Sequence, residues 1–271
     1  MHNYTRVELR GYPLKRDLAP LTAEGWSEIE KRAKEVLLSR LTARKVVNVQ
    51  GPKGLEFAAV NEGRLTLCDD GDVKAGVYTL KPLTEARVRF TLNRWEVDNL
   101  ARGAKDIDFD SLDAAVEKLA LFEENAIYNS YSAGGIKGLK EASAHKALTL
   151  GDNGTDILTS ITKAIMELEK NHINGPYSLI VGSKGWIALH KEAQGMPLIE
   201  RVERILGSKV VFASSVEGAI LVPYDSDDLE LTIGQDFALG YESHDTKELT
   251  LFATESFTFR VLEPKAIVCF K

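Results

Sequence analysis

The side chains able to do chemistry are few and scattered. The chain has five histidines, His2, His145, His172, His190 and His244, and none has a partner at the His-x-x-x-His or His-x-x-Glu spacing that would hold a metal ion. His244 precedes Asp245, but adjacent residues in a turn read as a solvated loop rather than a proton-relay dyad. Cys68 and Cys269 are far apart and outside any Cys-x-x-Cys motif, which points to a reducing cytosol and no disulfide framework. There is no Gly-x-Ser-x-Gly elbow to present a serine nucleophile. Asp69-Asp70-Gly71-Asp72 resembles part of a calcium loop, lacks its spaced ligands and final glutamate, and reads as a hairpin turn. Asp225, Asp227 and Asp228 form a second acidic turn. Gly134-Gly135-Ile136-Lys137-Gly138 follows a helical pattern rather than a strand, so it reads as a hinge or helix cap and not as a phosphate loop. Trp95 could stack on a flat ligand, though a buried or interface position is the plainer reading. No nucleophile–base pair emerges, and the expectation is a protein that is not an enzyme.

Bulk properties narrow the class further. The 271 residues, 44% hydrophobic and 27% charged, are ordinary globular material. A net charge of -6 argues against a general nucleic-acid binder, whose footprint is basic. No apolar run approaches the ~18 residues of a membrane span. The N-terminal residues lack the apolar core of a signal peptide. A cytoplasmic protein without membrane or nucleic-acid partners is expected.

The elements around these residues have a distinct layout. Residues 1–19 read as an arm that borrows order from a neighbour or stays mobile. Thr22 can cap a helix whose stripe is Trp26, Ile29, Ala33, Val36, Leu37 and Leu41. Residues 44–94 are a run of short extended pieces separated by Asn61-Glu62-Gly63 and Asp69-Asp70-Gly71. They carry too few large apolar residues for a core of their own, which marks an arm that pairs with something else. A second long helix is capped at Asp110 or Ser111 and runs to about Tyr131. An α/β pattern follows, with Thr155 or Asp156 and then Ser183 as helix caps. Near the end, Lys247 to Val261 alternates apolar and polar residues, a strand of about 50 Å at ~3.3 Å per residue with one buried face. Glu255 is the one acid on that face, and should meet a cation or a subunit contact. The long helix is the natural partner for this strand.

An ordered set of motifs gives these parts a family. Gly234-Gln235-Asp236-Phe237-Ala238-Leu239-Gly240-Tyr241-Glu242, followed by Phe252-Ala253-Thr254-Glu255-Ser256-Phe257-Thr258-Phe259, resembles the C-terminal region of encapsulins. Arg16 to Thr22 with Trp26 and Ile29, Gly51-Pro52, Pro82-Leu83, Phe90-Thr91-Leu92, Glu96 to Gly103, Ile136-Lys137-Gly138 and Gly175-Pro176-Tyr177 fall in the family's order and spacing. The resemblance covers nearly the whole chain. It implies an α+β chain with the HK97-like capsid fold of tailed phages. Its parts would be an N-terminal arm and helix (1–42), an extended β loop (43–95), the long helix of a peripheral domain (96–134), an axial domain (135–222) and a peripheral β return (223–271).

The same resemblance implies a function: a structural protomer that self-assembles into an icosahedral nanocompartment, about 60 copies in the smallest closed form. Such shells enclose a cargo enzyme, often a ferritin-like protein or a dye-decolorising peroxidase, which docks by its C-terminal targeting peptide. Iron storage and oxidative stress are the processes that cargo would serve. By position the docking site would use Leu37, Leu41, Arg44, Asn48 and Leu239. Where the family pattern has an aspartate this chain has Asn48, so a salt bridge there does not carry over. The five-fold pore loop would be His190, Lys191, Glu192, Ala193, Gln194, Gly195, Met196 and Pro197. No cofactor is required, but some members stack a flavin on a tryptophan of the extended loop, and Trp95 and Arg87 stand at matching places. A prophage major capsid protein of the same fold is the alternative.

Overall fold

The computed structural model describes residues 14–193 and 195–271. In chain order come α1 (Ala23–Arg40), β1 (Asn48–Gln50), β2 (Ala59–Asp70), β3 (Val73–Pro82), β4 (Thr84–Asn93), α2 (Arg94–Ala101) and α3 (Asp110–Tyr128). Then follow α4 (Leu139–Ala142), α5 (Gly154–Lys170), β5 (Tyr177–Val181), α6 (Ser183–Leu189), β6 (Glu192–Ala193), β7 (Met196–Pro197), α7 (Leu198–Leu206), β8 (Val210–Phe212) and β9 (Ala219–Pro223). The chain closes with β10 (Leu229–Ile233), β11 (Ala238–His244), β12 (Glu248–Val261) and β13 (Val268–Phe270). These segments gather into two compact units, one of residues 14–39, 51–120 and 232–258, the other of 40–50, 121–231 and 259–271.

In the first unit, α1 begins where its sequence directs. Thr22 Oγ1 accepts from the Gly25 amide at 3.1 Å, and Trp26, Ile29 and Ala33 are buried on one stripe. The strand β12 is the spine of this unit. It pairs antiparallel with β4 from Glu248↔Asn93 to Phe257↔Thr84, and with β11 from Ala238↔Thr254 to His244↔Leu249. The expectation of a single buried face is corrected, because every residue from Leu251 to Phe259 is buried. On the face predicted to be exposed, the Arg87 guanidinium lies 4.1 Å over the Phe252 ring, with Leu14 and Ala238 packed on that ring. Thr254 Oγ1 donates to Ala86 O at 2.8 Å, and Ser256 Oγ accepts from the Gln235 amide at 2.8 Å. Hydroxyl side chains satisfied in this way can be buried at little cost, so a polar position need not be an exposed one. Glu255 is fully buried with them.

The extended arm is longer and more regular than its sequence suggests. β2 and β3 form one hairpin, from Ala59↔Pro82 to Asp70↔Val73. Asn61-Glu62-Gly63, expected as a turn between strands, lies inside β2. Gly63 takes φ +68° there, its amide donates to Asn61 Oδ1 at 2.8 Å, and the register shifts between Asn61 and Leu65. This is a bulge, which absorbs a turn-like triplet without ending the strand.

The second unit is built on a sheet in the order β13–β9–β5–β8, with β5 buried at every residue. β5 runs parallel to β8 and antiparallel to β9. Its core takes Ile157, Ile161 and Leu168 from α5 and Leu198, Val202 and Leu206 from α7. Asn153, not Thr155 or Asp156, caps α5, its side chain accepting from the Asp156 amide at 3.0 Å. Gly182 holds the N-cap position of α6, and Ser183 is already helical. The last strand, β13, pairs with β9 through Val268↔Leu221.

α3 contributes Leu112, Ala115, Val116 and Leu119 to the buried residues of the first unit and Ala126, Ile127 and Tyr128 to those of the second. It ends at Tyr128, short of the expected Tyr131, and Tyr131 instead bridges to Ile136. The glycine-rich break packs against that helix end: a Cβ on Gly138 would stand 2.7 Å from Ser130 N and 2.8 Å from Ile127 O.

Candidate functional site

The residues expected to receive cargo separate into two groups. Leu37 lies in the last turns of α1 and is half-buried, while its neighbour Leu38 is 61% exposed. Leu239 is buried on β11, paired with Ala253. Both belong to the first unit. Leu41 and Arg44 lie on the connector after α1 and Asn48 opens β1, all in the second unit. Leu41 is buried there. Asn48 Nδ2 donates to Asp225 Oδ1 at 3.3 Å, and its Oδ1 accepts from Gln50 Nε2 at 2.6 Å.

Arg44 has a structural partner. Its Nε donates to Glu123 Oε1 at 2.8 Å and its Nη2 to Oε2 at 2.5 Å, in a two-pronged pair with Glu123 fully buried. Beside it, Glu124 Oε1 accepts from the amides of Thr42 and Ala43 at 2.8 and 2.7 Å. The Thr42 hydroxyl bonds Glu124 Oε2 and lies 2.8 Å from the Tyr128 hydroxyl. Burial pushes the Glu124 carboxyl up to about 7, against the lowering effect of the Thr42 and Ala43 hydrogen bonds. Burial, then the Glu124 charge, pushes the Tyr128 phenol up as well. Sequence reading missed this cluster. Its one local signal is a pair of adjacent acids, Glu123-Glu124, among Leu119, Ala120, Ala126 and Ile127.

Trp95, in the first turn of α2, is 68% exposed, behind an Asn93 cap whose side chain accepts from the Trp95 amide at 2.8 Å. The cation beside its ring is Arg102, 5.8 Å from the centroid. Arg87 is engaged elsewhere, over Phe252 and 3.1 Å from Glu85. An open indole suits stacking by a flat ligand; the Arg87 placement does not add a second contact to it.

Of the residues expected to line a pore, the described ones pair as two short strands, β6 and β7. Glu192 pairs with Pro197 and Ala193 with Met196, and Gly195 between them has φ +82°. His190 stands before it, Nδ1 2.9 Å from Trp186 O and its ring 4.3 Å from the Trp186 ring. Lys191 is exposed, and Gln194 lies outside the described residues. Among the described residues no group of three or more His, Cys, Asp or Glu could hold a metal ion, and no helix is long and apolar enough to cross a membrane.

Comparison with known proteins places the chain. The family model described as "Encapsulating protein for peroxidase" matches residues 12–258. A type 1 encapsulin shell protein of Rhodospirillum rubrum is 38% identical, with 94% of this chain and 95% of that protein covered. One from Mycolicibacterium paratuberculosis is 36% identical over 94% of this chain and 97% of its own length. Among solved structures, a virus-like particle protein from Pyrococcus furiosus shares the fold at 18% identity with a TM-score of 0.69, covering 91% of this chain and 99% of that one. The chain belongs to the encapsulin family, as a structural shell protein of HK97-like capsid fold rather than an enzyme.

Proposed function

We propose that about 60 copies of this chain close into an icosahedral compartment that loads a cargo enzyme through the cargo's C-terminal peptide. The observation that carries the assembly is the β2–β3 hairpin. Leu65, Leu67, Tyr78 and Leu80 share one of its faces and are 50%, 81%, 64% and 55% exposed. Apolar residues in this density on an open hairpin need a second copy to cover them. The family model's description favours a peroxidase as cargo, and a ferritin-like protein is the other candidate. The docking surface would be the exposed side of α1 around Leu37 and Leu38. Small molecules would pass at the β6–β7 hairpin, and the compartment would lie in the cytoplasm. Flavin is a second proposed ligand, supported by the open Trp95 ring.

The test is to purify shells from the source cell, image them, and identify what they hold. Uniform shells containing one enzyme, emptied when that enzyme loses its C-terminal tail, are the expected result. Shells packed with DNA would instead establish the phage-capsid alternative, and a monomer or dimer would sink both. Leu37→Asp should empty shells of cargo while leaving them intact; full loading would move the docking site elsewhere. Trp95→Ala should abolish flavin absorbance in purified shells, and retained absorbance would place the flavin at another residue.

A further inference from the structure

α1 presents one face that the fold leaves uncovered. Glu28, Lys31, Glu35 and Leu38 follow at steps of three, four and three, which sets them on one exposed stripe opposite the buried Trp26, Ile29 and Ala33. Leu38 is the apolar end of that stripe. The rest of it opens into a cleft of about 300 Å³ between α1 and residues 105–113, where α3 begins. Stripe and cleft both lie within the first compact unit.

Five carboxylates and three cations line the cleft, and half-buried Ile107 and Phe109 give it an apolar wall. Most of the cationic charge is spent internally. Arg32 Nε donates to Asp113 Oδ1 at 2.9 Å, and Arg32 Nη1 to Glu35 Oε2 at 3.3 Å. Lys31 stands 3.7 Å from Glu28. Asp110 suits the positive end of α3, whereas Asp108 precedes the helix and accepts from the Asp110 amide at 3.0 Å. Both are exposed, and among the described residues neither is in an ion pair.

We propose, building on cargo docking at α1, that this cleft takes a lysine or arginine side chain of the cargo's C-terminal peptide, held by Asp108 and Asp110, while an apolar residue of the same peptide covers Leu38. The excess of carboxylates selects a basic occupant. A long basic side chain also fits the wall: its aliphatic stem lies on Ile107 and Phe109 while its charged head meets the acids. Geometry sets the spacing. From Leu38 back to Lys31 the helix rises about 10 Å, which an extended peptide spans in about three residues. The basic residue therefore stands about three positions from the apolar one. Its acids face water, so the contact is a rim pair that sorts cargo rather than the main source of affinity.

A fluorescent reporter carrying the C-terminal tail of the enzyme recovered from shells, co-expressed with the full chain and counted per purified shell, reads this. Replacing the tail's basic residue by glutamine, or Asp108→Asn with Asp110→Asn in the shell, should each lower loading about three- to fivefold. Both together should lower it no further, because they remove the same contact. Asparagine keeps the acceptor that the Asp110 amide uses. A tail with no basic residue near that spacing would overturn the proposal, as would full loading of either variant or losses that multiply when the two are combined. Should the asparagine shells fail to assemble, the glutamine tail decides alone in wild-type shells; full loading there hands the two acids to a contact between copies. Failure of the cleft and failure of α1 docking read differently. Loading lost in Leu37→Asp but kept in the asparagine shells removes only the cleft, whereas an unaltered tail that wild-type shells do not load removes both.

Discussion

Arg44 illustrates how a side chain expected to serve a ligand is claimed by the fold. Its guanidinium grips the fully buried Glu123, so removing it strands a carboxylate shielded from solvent. Arg44→Leu should destabilise the protein by about 3–5 kcal/mol, read by denaturant unfolding. The double variant Arg44→Leu/Glu123→Leu should recover most of that loss. Equal destabilisation by the single and double variants would mean that packing, not charge, is what Arg44 supplies. Gly138 is the second residue-scale constraint. With backbone atoms 2.7 and 2.8 Å from any Cβ, Gly138→Ala must shift the end of α3, at a cost of about 1–3 kcal/mol. A wild-type melting temperature would show that the helix end moves freely.

At the scale of elements, the hairpin and the long strand differ in what holds them. β12 has strands on both sides and is buried on both faces, so its stability is internal to the subunit. The β2–β3 hairpin makes its own ladder, but nearly all of its side chains are exposed. Substitutions there should cost the isolated subunit no more than about 0.5 kcal/mol while blocking assembly. Leu67→Lys with Tyr78→Lys is the direct case: folded by circular dichroism, and without shells by electron microscopy. Shells at wild-type yield would remove the hairpin face from the proposed contacts.

For the whole molecule, assembly is a ligand like any other: copies that bind only the folded subunit stabilise it. Wild-type shells should therefore melt above the unassembled Leu67→Lys/Tyr78→Lys subunit, as read by scanning calorimetry. Identical melting temperatures would mean that the shell adds nothing to subunit stability. The chain's net charge of -6 belongs to this scale too, since a wall of negative subunits does not attract nucleic acid. Purified shells should show a protein-like absorbance ratio, unchanged by nuclease.

Sequence alone determined the elements whose signal is local. The stripe of α1, the presence of the long helix α3 and the extended run of β12 all follow from spacing of three to four or two, which one stretch of chain carries by itself, although Asp110 and Ser111 lie within α3 rather than capping it. The ordered motifs carried the family in the same way, and the absence of a nucleophile–base pair pointed away from catalysis. Tertiary structure decided what depends on distant partners. Whether Thr254 and Ser256 are buried depends on backbone groups of Ala86 and Gln235, not on their own polarity. Whether Asn61-Glu62-Gly63 ends a strand or bulges within it depends on β3 continuing alongside. What satisfies the buried Glu124 depends on Thr42, 82 residues earlier, whose amide donates to it. Period and propensity record local geometry, whereas the partner that makes a buried polar group tolerable is set only when the chain folds back on itself.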